Sequence, residues 1–117
     1  MRHVIALDVG GTGMKAALVG ADGTLLHRAR RATCRERGPD AVVAGVRDFA
    51  AALRAHSAEH LGEPAAAAGV VVPGIVDEAR GTAVYAANLG WRDVPLRELV
   101  VAGEQPTLPR EPVGVLL

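Results

Sequence analysis

Leu7-Asp8-Val9-Gly10-Gly11-Thr12-Gly13-Met14-Lys15 places a carboxylate at the end of an apolar strand and a glycine-rich turn directly behind it. Glycines lack a Cβ and let backbone N–H groups come close to an anion, and successive N–H groups in such a turn form an anion-binding concavity. In that geometry Asp8 faces the counter-ion, Thr12 adds a hydroxyl donor and Lys15 adds positive charge. The pattern predicts a site for a phosphate group and its metal ion.

Two better-known glycine motifs compete for the same letters. Gly11-Thr12-Gly13-Met14-Lys15-Ala16 fits the relaxed dinucleotide fingerprint, which requires the last residues to open a helix. Only Ala16-Ala17-Leu18-Val19-Gly20 follows before Ala21-Asp22-Gly23, and Asp-Gly between apolar runs is a hairpin signal, so the next element is a strand. A P-loop needs its lysine directly after the last glycine and then Ser or Thr, whereas here Met14 precedes Lys15 and Ala16 follows.

Outward from the turn, Val4 to Leu7, Ala16 to Val19 and Leu25 to Ala32 read as three strands joined by tight turns, an antiparallel meander. The period then changes: Val42, Val46, Phe49 and Leu53 recur at helical spacing, with Gly38-Pro39-Asp40 as a start and Leu61-Gly62, then Pro64, as a stop. Ala67 to Val72 is a nearly continuous apolar run, expected to be a central parallel strand buried on both faces and ended by Pro73-Gly74. Ligands of open α/β sheets sit beyond the carboxyl ends of the strands, where both Asp8 and Gly74 fall. Tyr85 and Phe49 are core candidates, and Trp91 is expected to pack its loop down.

Composition fits one globular unit: 117 residues, half of them apolar, formal charge zero. The one cysteine, Cys34, has no internal disulfide partner and reads as a spectator thiol in a reduced compartment. No segment is long and apolar enough to span a bilayer, and Val4-Ile5-Ala6-Leu7 is too short for a signal-peptide core. Twelve of the thirteen basic residues are arginine and Lys15 is the single lysine, which favours a compact ammonium beside the turn. The cluster Arg28, Arg30, Arg31, Arg35, Arg37 has no interleaved aromatics and reads as a solvated strand end and loop, not a nucleic-acid surface. His56 and His60, four apart on the expected helix, have no third metal ligand.

Strand, Gly-Gly-Thr turn, strand, Asp-Gly turn, strand resembles the phosphate-binding hairpin of the actin-like, ribonuclease-H-like ATPase fold. Asp8 to Val19 with Asp22-Gly23 behind it resembles the opening of the ROK family (repressors, open reading frames, kinases), whose enzymes are ATP-dependent sugar kinases. Val72-Pro73-Gly74-Ile75-Val76-Asp77 resembles the family's P-G-x-V-D segment, and Asn88-Leu89-Gly90-Trp91 its N-L-x-W segment. The resemblance covers residues 1–100, read as an amino-terminal actin-like ATPase lobe. Residues 101–117 read as an atypical Pro-rich tail ending in a truncated strand.

The resemblance implies an α/β lobe: a three-stranded antiparallel meander extended by parallel strands, with one main helix. It implies that Asp8, Gly10, Gly11, Thr12, Gly13 and Lys15 hold the phosphates of Mg-ATP, with Asp8 reaching Mg²⁺ through water. Gly74 lies against the sugar and Asn88 hydrogen-bonds a sugar hydroxyl, an amide both donating and accepting as a hydroxyl does. The implied cofactors are ATP and Mg²⁺, and the implied reaction is transfer of the γ-phosphate to a hexose, glucose at its 6-hydroxyl being expected. The partners are then small molecules, with no nucleic acid and no membrane, in the cytoplasm. Apolar surface left by a missing lobe leaves room for a homo-oligomer.

In the family a Pro-Val strand leads into an Asn-Asp segment whose aspartate is the general base. Glu111-Pro112-Val113-Gly114-Val115-Leu116-Leu117 resembles that strand, but neither Asn nor Asp follows within the chain, and the family's zinc-binding His/Cys segment is not among these residues. Prolines at positions 106 and 109 stand where a helix normally finishes. The expectation is a lobe without its catalytic base, inactive alone. Two rivals are a sugar-sensing ROK repressor, whose winged helix would need more room than Met1-Arg2-His3, and a non-catalytic interaction fragment.

Overall fold

The computed structural model describes residues 2–101 and 113–116, with side chains for 2–100. The chain opens with strands β1 (His3–Val9), β2 (Gly13–Gly20) and β3 (Leu25–Ala32). β1 and β2 alternate buried and exposed residues along their length, as strands with one covered face must. Their pairing is antiparallel, Leu7 opposite Ala16 and Asp8 opposite Lys15, and β3 pairs antiparallel with β2. The β2–β3 turn uses Gly23 at φ 87°. Its Asp22 Oδ1 accepts from the Thr24 N–H at 3.0 Å, which holds the Asp22 carboxyl below its ordinary pKa of 3.8.

Helix α1 (Pro39–Leu61) follows, its proline at the first position where a missing N–H costs nothing and Gly62 in the left-handed region as its stop. Val42, Val46, Phe49 and Leu53 are its buried stripe, each at most 2% exposed, on the Ile5, Leu7, Met14 and Leu18 face of the sheet. Burying each such side chain is worth about 1.5–3 kcal/mol. Gly45 on α1 lies against the Met14 methyl, so the helix comes close to the sheet there.

Strand β4 (Ala67–Val71) runs parallel to β1 on the side away from β2, and β8 (Val113–Leu116) runs parallel to β4, giving the order β3-β2-β1-β4-β8. β4 is central as expected, but it is not buried on both faces. Its residues alternate and Val71 is 36% exposed, because among the described residues α1 covers only one side of the sheet. The expected Pro-rich segment through residue 112 lies outside the described residues.

A second, three-stranded antiparallel sheet was not legible in the sequence: β5 (Ile75–Asp77), β6 (Thr82–Ala86) and β7 (Trp91–Val94) in the order β5-β6-β7. Its strands are short and carry few β-branched pairs. Helix α2 (Leu96–Val101) braces it: the Arg97 N–H donates to the Gly81 carbonyl at 3.0 Å, and the Arg97 guanidinium donates to the Ala79 and Glu78 carbonyls. Tyr85, expected in the core, is 42% exposed, with Arg92 over its ring, because it faces outward on β6. Phe49 is buried as expected. No described helix is long and apolar enough to cross a membrane.

Candidate functional site

Three motifs meet at the carboxyl ends of β1 and β4. Asp8 stands one residue before the end of β1, exposed, with Lys15 opposite it on β2 and Val71 beside it on β4. Lys15 therefore lies on the strand behind the glycine turn, on the open face with Asp8, and no ion pair joins the two among the described residues. Asp8, Lys15, Ala6, Ala17, Gly69 and Val71 line a depression of about 340 Å³ on that face.

The turn closes by a Gly10 N–H bond to the Gly13 carbonyl at 3.0 Å. A Cβ on Gly10 would lie 2.7 Å from the Gly13 oxygen, so closure requires glycine there. None of Gly10, Gly11 and Gly13 has positive φ. Their purpose is close approach, not left-handed backbone. The N–H groups of Gly11 and Thr12 have no acceptor among the described residues, which leaves two donors at a turn that can cradle an anion. The exposed Asp8 carboxylate, with no cationic partner among the described residues, stands on the strand that leads into this turn.

A latch from β3 steadies the turn. The Thr33 N–H donates to the Thr12 carbonyl at 3.0 Å, and Thr33 Oγ1 donates to the Gly10 carbonyl at 2.6 Å, with Thr33 only 4% exposed. Cys34 follows in the left-handed region at φ 56°, and Arg35–Arg37 form a short 3-10 turn. No local motif signals this latch. Its cue is the register: Gly13 opposite Ala32 carries Thr33 to Thr12.

Gly74 follows β4 at φ 141°, and a Cβ there would collide with the Tyr85 carbonyl oxygen and lie 3.0 Å from Ala86 Cα. The end of β4 is thereby pressed onto the end of β6. The chain continues into the 3-10 turn Ala87–Leu89, with Leu89 buried and Asn88 exposed. Gly90 at φ 70° caps that turn against Pro39. Trp91 is 1% exposed and its Nε1 donates to the Pro39 carbonyl at 3.2 Å, so it packs the loop onto the start of α1 as expected. The consequence is that Asn88 reaches the glycine turn: a Cβ on Gly11 would lie 3.4 Å from Asn88 Cβ.

The ROK family model matches residues 4–105. The chain belongs to the ROK family. A glucokinase of Streptomyces coelicolor is 31% identical to this ROK chain over 104 residues, which is 87% of this chain and 30% of the relative. The structure of a ROK family glucokinase from Streptomyces griseus in complex with glucose and AMPPNP superposes with TM-score 0.72 at 30% identity, covering 97% of this chain and 32% of that one. An inorganic polyphosphate/ATP-glucomannokinase from Arthrobacter sp. strain KM gives TM-score 0.71 at 31% identity, over 98% and 44%. This ROK chain thus has the actin-like ATPase fold of the family's sugar kinases and spans about 30% of the length of its glucokinase relatives.

Proposed function

We propose that this ROK lobe holds the phosphoryl donor and part of the sugar site of an ATP-dependent hexose kinase, with glucose as the acceptor. The observation that carries the reading is the contact between the glycine turn and Asn88, which puts anion donors and a hydroxyl-reading amide side by side. Likeness to a glucokinase solved with glucose and AMPPNP supports the same reading.

In this proposal the Gly11 and Thr12 N–H groups and the Thr12 hydroxyl donate to phosphate oxygens, with Gly10 and Gly13 shaping the turn. Lys15 adds charge from β2. Asp8 orients water on the magnesium ion, which when bound neutralises the phosphate charge. Asn88 holds a sugar hydroxyl and Gly74 keeps the wall beside it thin. Phosphoryl transfer depends on positioning and electrostatics from both sides of a cleft.

The test is a coupled assay with ATP, Mg²⁺ and glucose on the protein expressed from its gene. Asp8→Asn should lower kcat/KM by about 10²-fold or more, and Asn88→Ala should raise the glucose KM about tenfold for one lost hydrogen bond. Absence of hexose phosphorylation by the unmodified protein, or an Asn88→Ala variant with unchanged sugar kinetics, overturns the proposal.

A further inference from the structure

We propose that Arg35 is a phosphate ligand that closes the glycine turn from the β3 side, a role resting on the reading of that turn as a phosphate site. The Arg35 Nη1 lies 3.8 Å from the position a Cβ on Gly11 would take, and Asn88 Cβ lies 3.4 Å from the same point. Gly11 is therefore where the turn, the Asn88 loop and a guanidinium from a third element meet. The latch makes this placement firm, since both Thr33 bonds tie the residues just before Arg35 to Gly10 and Thr12.

Five other arginines of the described residues are engaged elsewhere. Arg97 donates to carbonyls, Arg54 to the Val100 carbonyl and Arg80 to Asp77, while Arg31 and Arg92 lie over the rings of Phe49 and Tyr85. Arg35 is exposed and has no acceptor among the described residues. A guanidinium beside two N–H groups that also lack acceptors is suited to a non-bridging phosphate oxygen, which it meets with a planar fork. Because Arg35 and Asn88 approach the same point of the turn, the phosphoryl group that Arg35 meets can come from the nucleotide or from a phosphorylated sugar. The chemistry recognised is the same.

The experiment is isothermal titration of the protein expressed from its gene with Mg·AMPPNP and, separately, with glucose 6-phosphate, for the unmodified protein and Arg35→Ala, Arg35→Lys and Arg37→Ala. Arg35→Ala should weaken one or both ligands by about 10- to 100-fold, Arg35→Lys should fall between, and Arg37→Ala, on the same 3-10 turn, should stay within about twofold. Loss confined to Mg·AMPPNP assigns Arg35 to the donor phosphate, and loss confined to glucose 6-phosphate assigns it to the sugar phosphate. Arg35→Ala within twofold for both ligands, or an equal loss in Arg37→Ala, overturns the role while leaving the phosphate site intact. Failure of the unmodified protein to bind either ligand overturns the site and the role together. Matching thermal melts for the variants show that the exposed side chain can be removed without unfolding the chain.

Discussion

Replacing Thr33 by Val keeps the side-chain shape and removes the hydroxyl that holds the Gly10 carbonyl at 2.6 Å. The hydrogen bond itself is worth about 1 kcal/mol net, and leaving its partly buried acceptor without a donor raises the cost to about 1–3 kcal/mol. The Thr33 N–H bond to Thr12 is retained, so the effect isolates the side chain. For a domain near 100 residues, each kcal/mol lowers the melting temperature by about 4–8 °C. Urea denaturation of the unmodified chain, Thr33→Val and Thr33→Ser gives the comparison. Thr33→Ser keeps the hydroxyl and should recover most of the loss. Thr33→Val within about 0.5 kcal/mol of the unmodified chain, or Thr33→Ser as damaging as Thr33→Val, refutes the latch.

Gly74→Ala should destabilise the chain by at least about 2 kcal/mol, since φ 141° is glycine territory and the new Cβ meets the Tyr85 carbonyl. Denaturation of that variant checks it, and Gly23→Ala, with positive φ but open space, should cost less. His56 stacks on His27 at 3.7 Å, between β3 and α1, and meets the tilted ring of His60 at 4.3 Å. Desolvation first, then the charges of His27 and His60, lower its pKa below the ordinary 6.5, with Glu59 opposing. The unfolded chain then binds the extra proton first, so stability is full above pH 6.5 and falls as pH drops below it. His27→Gln should flatten that fall in melts between pH 5 and 7.5, and an unchanged pH profile would refute the coupling.

The meander and α1 were legible because each rests on a local signal: alternation, an Asp-Gly turn, a stripe at Val42, Val46, Phe49 and Leu53. The glycine turn was legible by composition, although its glycines serve close approach and not positive φ. What could not be read is what depends on pairing between distant strands. The latch of Thr33 on Gly10 spans 23 residues, and the Trp91 bond to Pro39 spans 52. The histidine stack needs β3 beside α1, so no local spacing groups His27 with His56 and His60. Tyr85 was misplaced because an isolated aromatic in a short strand carries no sign of which face it takes. Nothing local distinguishes Arg35 from Arg37, so by sequence both belong to one solvated run.

Donor phosphate and sugar are proposed to meet where the Gly10–Gly13 turn touches Asn88. A crystal structure of the protein expressed from its gene, grown with Mg·AMPPNP and glucose, tests it most directly. The expected result is phosphate oxygens within hydrogen-bond distance of the Gly11 and Thr12 N–H groups, the metal ion on the Asp8 side and a glucose hydroxyl on the Asn88 amide. Nucleotide phosphates bound away from the turn, or a sugar that leaves Asn88 without contact, would contradict it.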